Sequence, residues 1–474
     1  MNNSLNFYID GAWVSPATPA TLEVINPATE EAYAEISLGA EADVNRAVAA
    51  ARAAFPGWAE TPVADRIAAA KRLLAVYNAR YEDMAQAISA EMGAPITWAR
   101  EAQAYAGQGH LEAAITAAEN FEWESQRGTT RILREAIGVC ALITPWNWPM
   151  NQIMCKVAPA ILAGCTVVLK PSEIAPMSGL LFAEFMDEAG FPNGVFNLVN
   201  GTGPDVGQVM SGHPDVDMVS FTGSTRAGII VARTAAETVK RVAQELGGKS
   251  PNIILPDADF EKAVTEGTLA VMNNTGQSCD APTRMLVSAE RMQDAMEIAR
   301  AAAETVVVGD PTDEATTMGP LVSALQFEKV QRLIETGIAE GATLATGGPG
   351  KPEGRNTGFF VKPTVFGDVT GSMTIAREEI FGPVLSILAY SSVEEAIEIA
   401  NDTVYGLAAY LQGSDPDQIR ALSRKLRAGS VYVNGPDWDL FAPFGGYKQS
   451  GNGREYADWG LHDFTEIKGV VGWG

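Results

Sequence analysis

The stretch VCALITPWNWPMNQIMCKVAPAILAGCTVVLK, residues 139–170, decides the fold class. Two short apolar runs, Val139–Ile143 and Thr166–Lys170, read as strands, and the longer segment between them, Pro149–Leu162, reads as a helix. The same alternation continues downstream. A helix at Met177–Ala189 leads to a strand at Val195–Val199, then a helix at Asp205–Met210, a strand at Met218–Thr222 and a helix at Arg226–Ala235. Short apolar strands alternating with helices predict an α/β fold, with a parallel sheet covered by helices on both faces.

Upstream, residues 41–120 are rich in alanine at helical spacing, with almost no breakers between Ala64 and Met92, and predict a run of helices. After Glu245 the pattern begins again as a second unit. Helices at Phe260–Asn273 and Ala289–Glu304 flank a strand at Arg284–Val287. A strand pair around Phe359–Val365 and Pro383–Tyr390 precedes a helix at Val393–Ala400, and Gly429–Asn434 reads as another buried strand. Thr346–Gly358 is rich in Gly and Pro and reads as a surface loop. Thr465–Val471 reads as a terminal strand.

A chain of 474 residues exceeds one ordinary core, so two or three domains are expected. Its 58 acidic and 34 basic residues give a net charge of −24, which argues against a sequence-independent nucleic-acid binder. Four cysteines (Cys140, Cys155, Cys165 and Cys279) are few for a disulfide framework and point to a reducing compartment. They form no CxxC, and His110, His213 and His462 are scattered, so no structural metal site is expected. The N-terminus lacks the pattern of a signal peptide. The longest apolar run, Val157–Leu169, contains Pro159 and falls short of the ~20 residues that span a bilayer. A soluble, cytoplasmic protein without membrane partners is the expectation.

Three segments carry chemistry. Cys279 ends Asn273-Asn274-Thr275-Gly276-Gln277-Ser278-Cys279, Glu245 lies in Gln244-Glu245-Leu246-Gly247-Gly248-Lys249, and Asn147 lies in Thr144-Pro145-Trp146-Asn147-Trp148-Pro149. A thiol nucleophile, a carboxylate base and an amide that can hold an oxyanion are the parts of a covalent acyl transfer. Each also has a plain reading: an inert buried thiol, a solvated carboxylate at a strand end, a turn asparagine. Cys279 follows a predicted helix and a polar turn whose backbone amides can face it and lower its pKa. Cys140, Cys155 and Cys165 fall in or beside regular elements and fit the inert reading. Near a thiol in an apolar pocket, desolvation would raise the pKa of Glu245 toward the range of a useful base. The segment Phe221–Gly228, FTGSTRAG, follows a strand and opens a helix. It is no GxGxxG, yet amides at a helix N-terminus attract a phosphate.

In this order and spacing the segments resemble the aldehyde dehydrogenase superfamily. The resemblance runs from Phe7-Tyr8-Ile9-Asp10-Gly11 to Gly445-Gly446-Tyr447-Lys448-Gln449-Ser450-Gly451. It implies a Rossmann-type NAD-binding domain from residues 1–118 and 136–247, an α/β catalytic domain from 248–446, and a bridging, oligomerising element from 119–135 and 447–474. It implies a homodimer or homotetramer acting on a small-molecule aldehyde. Cys279 would be the nucleophile, passing through a thiohemiacetal and a thioester. Glu245 would activate water, Asn147 would bind the oxyanion, and Lys156 would support proton transfer or else be a snorkelling surface lysine. The resemblance assigns Thr144, Trp146, Lys170, Ser172, Glu173, Gly223, Ser224, Gly247, Glu379 and Phe381 to NAD. A carboxylate at Glu173 favours NAD over NADP by repelling a 2′-phosphate. Glu245 points to release of the free carboxylic acid; an NADP-preferring or CoA-acylating semialdehyde dehydrogenase is the alternative, and a non-catalytic protein on the same scaffold a further rival.

The matching substrate positions are Trp148, Gln152, Cys155, Ser278, Trp438 and Phe444. Gln152 and Cys155 share a helix face and are polar or small where relatives with large apolar substrates are bulky. Asp437 and Asp439 flank Trp438 near the expected entrance. A roomy cavity of mixed polarity follows, for aromatic or functionalised aldehydes, and the lack of an arginine disfavours a carboxylate-bearing one. Asp280, directly after the nucleophile, departs from the family pattern. It would raise the thiol pKa if it pointed inward, and it is expected to point away.

Overall fold

Five strands form the parallel part of the first sheet: β1 (Val139–Ile143), β2 (Thr166–Lys170), β3 (Phe196–Leu198), β4 (Met218–Thr222) and β5 (Arg241–Glu245). They belong to a computed structural model that describes residues 3–473. Strands β1, β2 and β4 are buried along their whole length, which is why each reads as an unbroken apolar run. Their order in the sheet is β5-β4-β1-β2-β3. The chain moves outward from β1 to β3 and then returns to lay β4 on the other side of β1. That reversal opens a crevice beyond the carboxyl ends of β1 and β4, the place where α/β sheets bind ligands. Antiparallel edges complete the sheet: Gly451–Asn452 beside β5, and Phe7–Ile9 with Ala12–Val14 beyond β3.

Helix α1 (Pro149–Ala163) follows β1 and is buried on every side, so its sequence shows no polar stripe. It stops at Gly164, whose φ of 97° suits glycine. The expected helix over Asp205–Met210 is displaced. Residues Gly203–Gly207 wind as a wide π turn and Gln208–Gly212 is helical, because Gly203, Pro204 and Gly207 are poor helix formers. Helix α2 (Thr225–Ala235) follows β4.

The second sheet comprises β6 (Pro251–Ile254), β7 (Arg284–Ser288), β8 (Thr343–Thr346), β9 (Thr364–Val369), β10 (Val384–Tyr390), β11 (Ala408–Gln412) and β12 (Ser430–Val433), in the order β8-β9-β10-β7-β6-β11-β12. All neighbours are parallel except β8 and β9. Two expectations need correction. The strand expected from Phe359 starts only at Thr364, because the backbone of Phe359 bonds to Pro27 and Leu321 instead. The run 429–434 is an edge strand and half-buried, not a buried one. Helix α3 (Phe260–Met272) lies between β6 and β7 and delivers the chain to the Cys279 loop.

A third sheet is antiparallel, with Thr465–Val471 against Thr130–Ala136 and the latter against Glu124–Arg127. Of the expected bridging span 447–474, only the terminal strand enters this sheet. Gly451–Asn452 pairs with β5, and the helix Ala457–Asp463 packs on α1 and on the helix Tyr105–Asn120, burying Leu461. Among the described residues no helix is long and apolar enough to cross a membrane.

Candidate active site

Asn147 comes off the end of β1 and Cys279 off the end of α3, and one hydrogen-bonded knot joins them. After α3 the chain turns through Asn274 (φ 52°) and Thr275 (φ 56°), both left-handed. A β-branched residue in this region is strained, and such strain persists only where neighbours over-determine it. Here they do. Thr275 Oγ1 donates to the Gly319 carbonyl at 3.1 Å, and Gln277 Oε1 accepts from the Val322 N–H at 3.0 Å. Asn274 Nδ2 donates to the carbonyls of Asn147 (2.9 Å) and Gln277 (3.1 Å). Gln103 Nε2, from a distant helix, donates to Asn147 O (3.1 Å) and Asn274 Oδ1 (3.0 Å). Finally Asn147 Nδ2 donates to Gln277 O at 3.0 Å, which fixes the amide and leaves its second N–H for another acceptor.

Cys279 is the single described residue that lines both of two cavities. One, of about 210 Å³, is the crevice at the carboxyl ends of β1 and β4 and is bordered by Trp146, Asn147, Gly223, Ser224, Gly247, Glu379 and Phe381. The other, of about 370 Å³, is bordered by Trp148, Gln152, Trp438, Phe444 and, unexpectedly, Asp280. Asp280 therefore does not point away. Its carboxyl faces the cavity beside the nucleophile, and burial raises its pKa. The thiol is not activated in this state either. Burial pushes the Cys279 pKa well up, the charges of Asp280, Glu379 and Glu245 add to this, and its own backbone N–H opposes them too weakly. The expectation of a lowered thiol pKa fails because burial and three nearby carboxylates outweigh the one backbone N–H that favours the thiolate. With the pKa raised, the thiolate fraction grows as pH climbs through and beyond the ordinary thiol range. In Asp280→Asn the rise of kcat/KM with pH is expected to move to lower pH. An unmoved profile would show that Asp280 does not act on the thiol.

Glu245, at the end of β5, is buried and neither carboxylate oxygen has a hydrogen-bond partner. Burial raises its pKa far above the usual carboxylate range; Glu455 reinforces the shift, and Lys156 and Arg454 oppose it. Room for the carboxylate comes from Gly445, where a Cβ would stand 2.8 Å from Glu245 Oε1. Lys156 is no surface lysine. It is fully buried and ion-paired with Glu455, which also accepts from Cys155 Sγ at 3.1 Å. Burial works against the lysine's charge, but Glu455 and Cys155 hold its pKa up. Cys155 and Ser278 do not border the substrate-side cavity. Cys155 is turned to Glu455, and Ser278 Oγ accepts the Trp148 indole N–H at 2.8 Å.

The crevice suits a nucleotide. Ser224 caps α2, its Oγ accepting from Ala227 N–H at 3.3 Å, so the first amides of that helix face the crevice mouth. Thr144 Oγ1 and Thr222 Oγ1 are buried without partners at the ends of β1 and β4. Glu379 accepts from the Gly248 N–H at 2.9 Å, and burial raises its pKa. A Cβ at Gly247 would stand 2.6 Å from this carboxylate, so a side chain there would displace Glu379. Phe381 sits at φ 62°, its carbonyl held by Gln326 Nε2 at 2.7 Å and its ring edge-on to Trp146 at 5.4 Å. Thr144, Lys170, Ser172 and Glu173 lie outside this cavity, at the ends of β1 and β2. Thr144 N–H donates to Lys170 O (3.1 Å), Lys170 Nζ pairs with Glu173 at 2.9 Å, and Ser172 Oγ accepts from Ile174 N–H (3.3 Å).

The aldehyde dehydrogenase family model matches residues 13–470. The chain belongs to the aldehyde dehydrogenase family. It oxidises aldehydes with NAD as the electron acceptor. A 3-succinoylsemialdehyde-pyridine dehydrogenase from Pseudomonas sp is 52% identical, across 100% of this chain and 99% of that one. Aldehyde dehydrogenase C from Pseudomonas syringae, solved as a cysteine-to-alanine mutant with NAD+ and octanal, superposes with a TM-score of 0.99 at 54% identity, covering 100% of this chain and 98% of that one. The NAD+ complex of an aldehyde dehydrogenase from Bacillus cereus gives a TM-score of 0.95 at 40% identity, covering 99% and 96%. In this aldehyde dehydrogenase, sequence reading missed Glu455, Gln103, Asn274 and Gln326, all of which act through other site residues. Glu455 carried one signal, a lone acid just after the glycine-rich segment 445–453.

Proposed function

We propose that Cys279 attacks the aldehyde carbon, with Asn147 Nδ2 and the Cys279 backbone N–H steadying the oxyanion. The observation that carries this reading is the position of Cys279, which borders the crevice and the larger cavity together. NAD, when bound, supplies the hydride acceptor that converts a thiohemiacetal on Cys279 to a thioester. Trp146, Ser224, Gly247, Glu379 and Phe381 would hold its nicotinamide and phosphate portions; Lys170, Ser172 and Glu173 would hold its adenosine end. Glu245 then takes a proton from water that hydrolyses the thioester, and the Lys156–Glu455 pair receives that proton. The unpartnered carboxylate supports this role, since nothing within the protein competes for the water.

The substrate is an uncharged aldehyde with an alkyl or aromatic tail. Support comes from a cavity of about 370 Å³ walled by Trp148, Tyr410, Tyr432, Trp438, Phe444 and Tyr456, with no lysine or arginine on its lining. The octanal and pyridine aldehyde in the relatives' names agree with such a cavity. NADH formation followed by absorbance, with NAD or NADP and with or without CoA, tests the reading. The expected result is NAD-preferring oxidation to the free acid, indifferent to CoA; acyl-CoA as product would overturn it. A homodimer or dimer of dimers accords with the exposed Ile467 and Val471 on the terminal strand and Trp473 just past its end. Sedimentation as a monomer at micromolar concentration would refute the assembly.

A further inference from the structure

Two buried polar side chains at the start of α1 face the substrate cavity without serving the chemistry above. Asn151 is 5% exposed and Gln152 3%, and both border the cavity. Gln152 Oε1 has no partner. Asn151 Oδ1 lies 2.6 Å from His110 Nε2, which leaves Nδ2 to the cavity. We propose that Asn151 is a specificity-determining residue, held by His110 as a fixed hydrogen-bond donor, and that it selects aldehydes whose tail carries a keto oxygen or ring nitrogen and no negative charge. This deepens the reading of the substrate cavity and rests on it.

The direction of the hydrogen bond follows from His110. Its Nδ1 is buried without a partner. If the amide were reversed, Nε2 would accept and Nδ1 would carry a buried N–H with no acceptor, a rarer and costlier defect than an idle lone pair. So Nε2–H donates to Oδ1, and both N–H groups of Nδ2 remain for the cavity. The ring is fixed between Tyr456, with centroids 4.2 Å apart, and Trp438, at 5.7 Å. Burial lowers its pKa to about 4, so it stays a neutral donor at working pH. A donor set this firmly in a buried wall discriminates. An alkyl tail leaves it unpaired, whereas a tail with an acceptor satisfies it, a difference of about tenfold in kcat/KM. Charge sets the second limit. Asp280, Asp437 and Glu266 all border the cavity, and among the described residues only Glu266 of the three is ion-paired, with Lys262 at 3.8 Å. A carboxylate tail meets repulsion with no compensating base.

The test uses the full-length enzyme with saturating NAD and three aldehydes: octanal, the same chain with a keto group at its fourth carbon, and a carboxylate-tailed semialdehyde. In the wild type the keto aldehyde is expected to exceed octanal about tenfold in kcat/KM, mostly through KM, with the carboxylate aldehyde poorest. Asn151→Leu and His110→Phe are expected to bring the keto-to-octanal ratio within about twofold of one. His110→Gln, whose amide nitrogen can replace Nε2, is expected to restore it. A purely structural role would depress both substrates equally and leave the ratio standing. An unchanged ratio in Asn151→Leu, or a wild type that prefers the carboxylate aldehyde, overturns the proposal. NADH formed equally well from octanal and its keto analogue defeats this proposal alone, whereas NADH from none of the three defeats the underlying reading too.

Discussion

Cys279→Ala is expected to lower NADH production by about 10⁵-fold or more while NAD binding stays within about twofold, since removing a nucleophile that acts as one unit with its base abolishes nearly all chemistry. The two halves of this expectation come from different walls. On the proposed mechanism the Cys279 sulfur forms the covalent bond to the aldehyde carbon, and among the described residues Cys279 alone borders both cavities. The crevice proposed to hold the nucleotide is bordered by Trp146, Ser224, Gly247, Glu379 and Phe381, and the contacts that hold Glu379 and Phe381 do not involve that sulfur. The protein should also fold. The loop is held by Asn274, Thr275 and Gln277 through their own hydrogen bonds, and alanine is accommodated wherever a thiol is. Titration of NAD by fluorescence quenching, beside a turnover assay, reads both quantities. Turnover above about a hundredth of wild type would remove Cys279 from the nucleophile's role.

Glu245→Gln is expected to keep a burst of NADH near one equivalent per active site and to slow steady turnover by about 10²–10⁴-fold, the usual worth of a general base. The amide preserves the shape that Gly445 makes room for but has no basic oxygen. In the wild type the steady rate should climb with pH, because a carboxyl whose pKa burial has raised becomes a base only as pH passes through that raised value. The glutamine variant should lose this rise. Rapid mixing of enzyme, NAD and aldehyde separates burst from turnover. Equal loss of both would place Glu245 in the first half-reaction and contradict a role in deacylation.

Much of this was legible in the sequence for a definite reason. Strands β1, β2 and β4 are buried on both faces, so their apolar runs are uninterrupted, and α1 is buried all round, so it stands out by length. Edge elements were read less well: β12 is half-buried, and the region before Thr364 bonds to loops instead of to the sheet. Cys279, Glu245 and Asn147 were visible because each sits in a short segment of unusual residues. Glu455, Gln103 and His110 were not, since each reaches the site across a large sequence separation, and an isolated acid, amide or imidazole in a helix or loop carries no local pattern. The thiol's electrostatics failed for a related cause. The polar loop suggests amides that lower the pKa, but only the Cys279 N–H acts that way, against burial and the carboxylates of Asp280, Glu379 and Glu245.

The meeting of two cavities at one sulfur has a consequence for how such an enzyme can change. The two cavities, assigned by the proposed mechanism to the nucleotide and the aldehyde, share Cys279 and no other described residue. On the proposed assignments, substitutions on opposite sides, at Glu379 in the crevice and at Asn151 in the other cavity, are expected to add in log kcat/KM, as distant sites without common partners do. A lineage could exchange its diet without renegotiating its coenzyme, and the reverse, as long as the atom at the junction stays where it is.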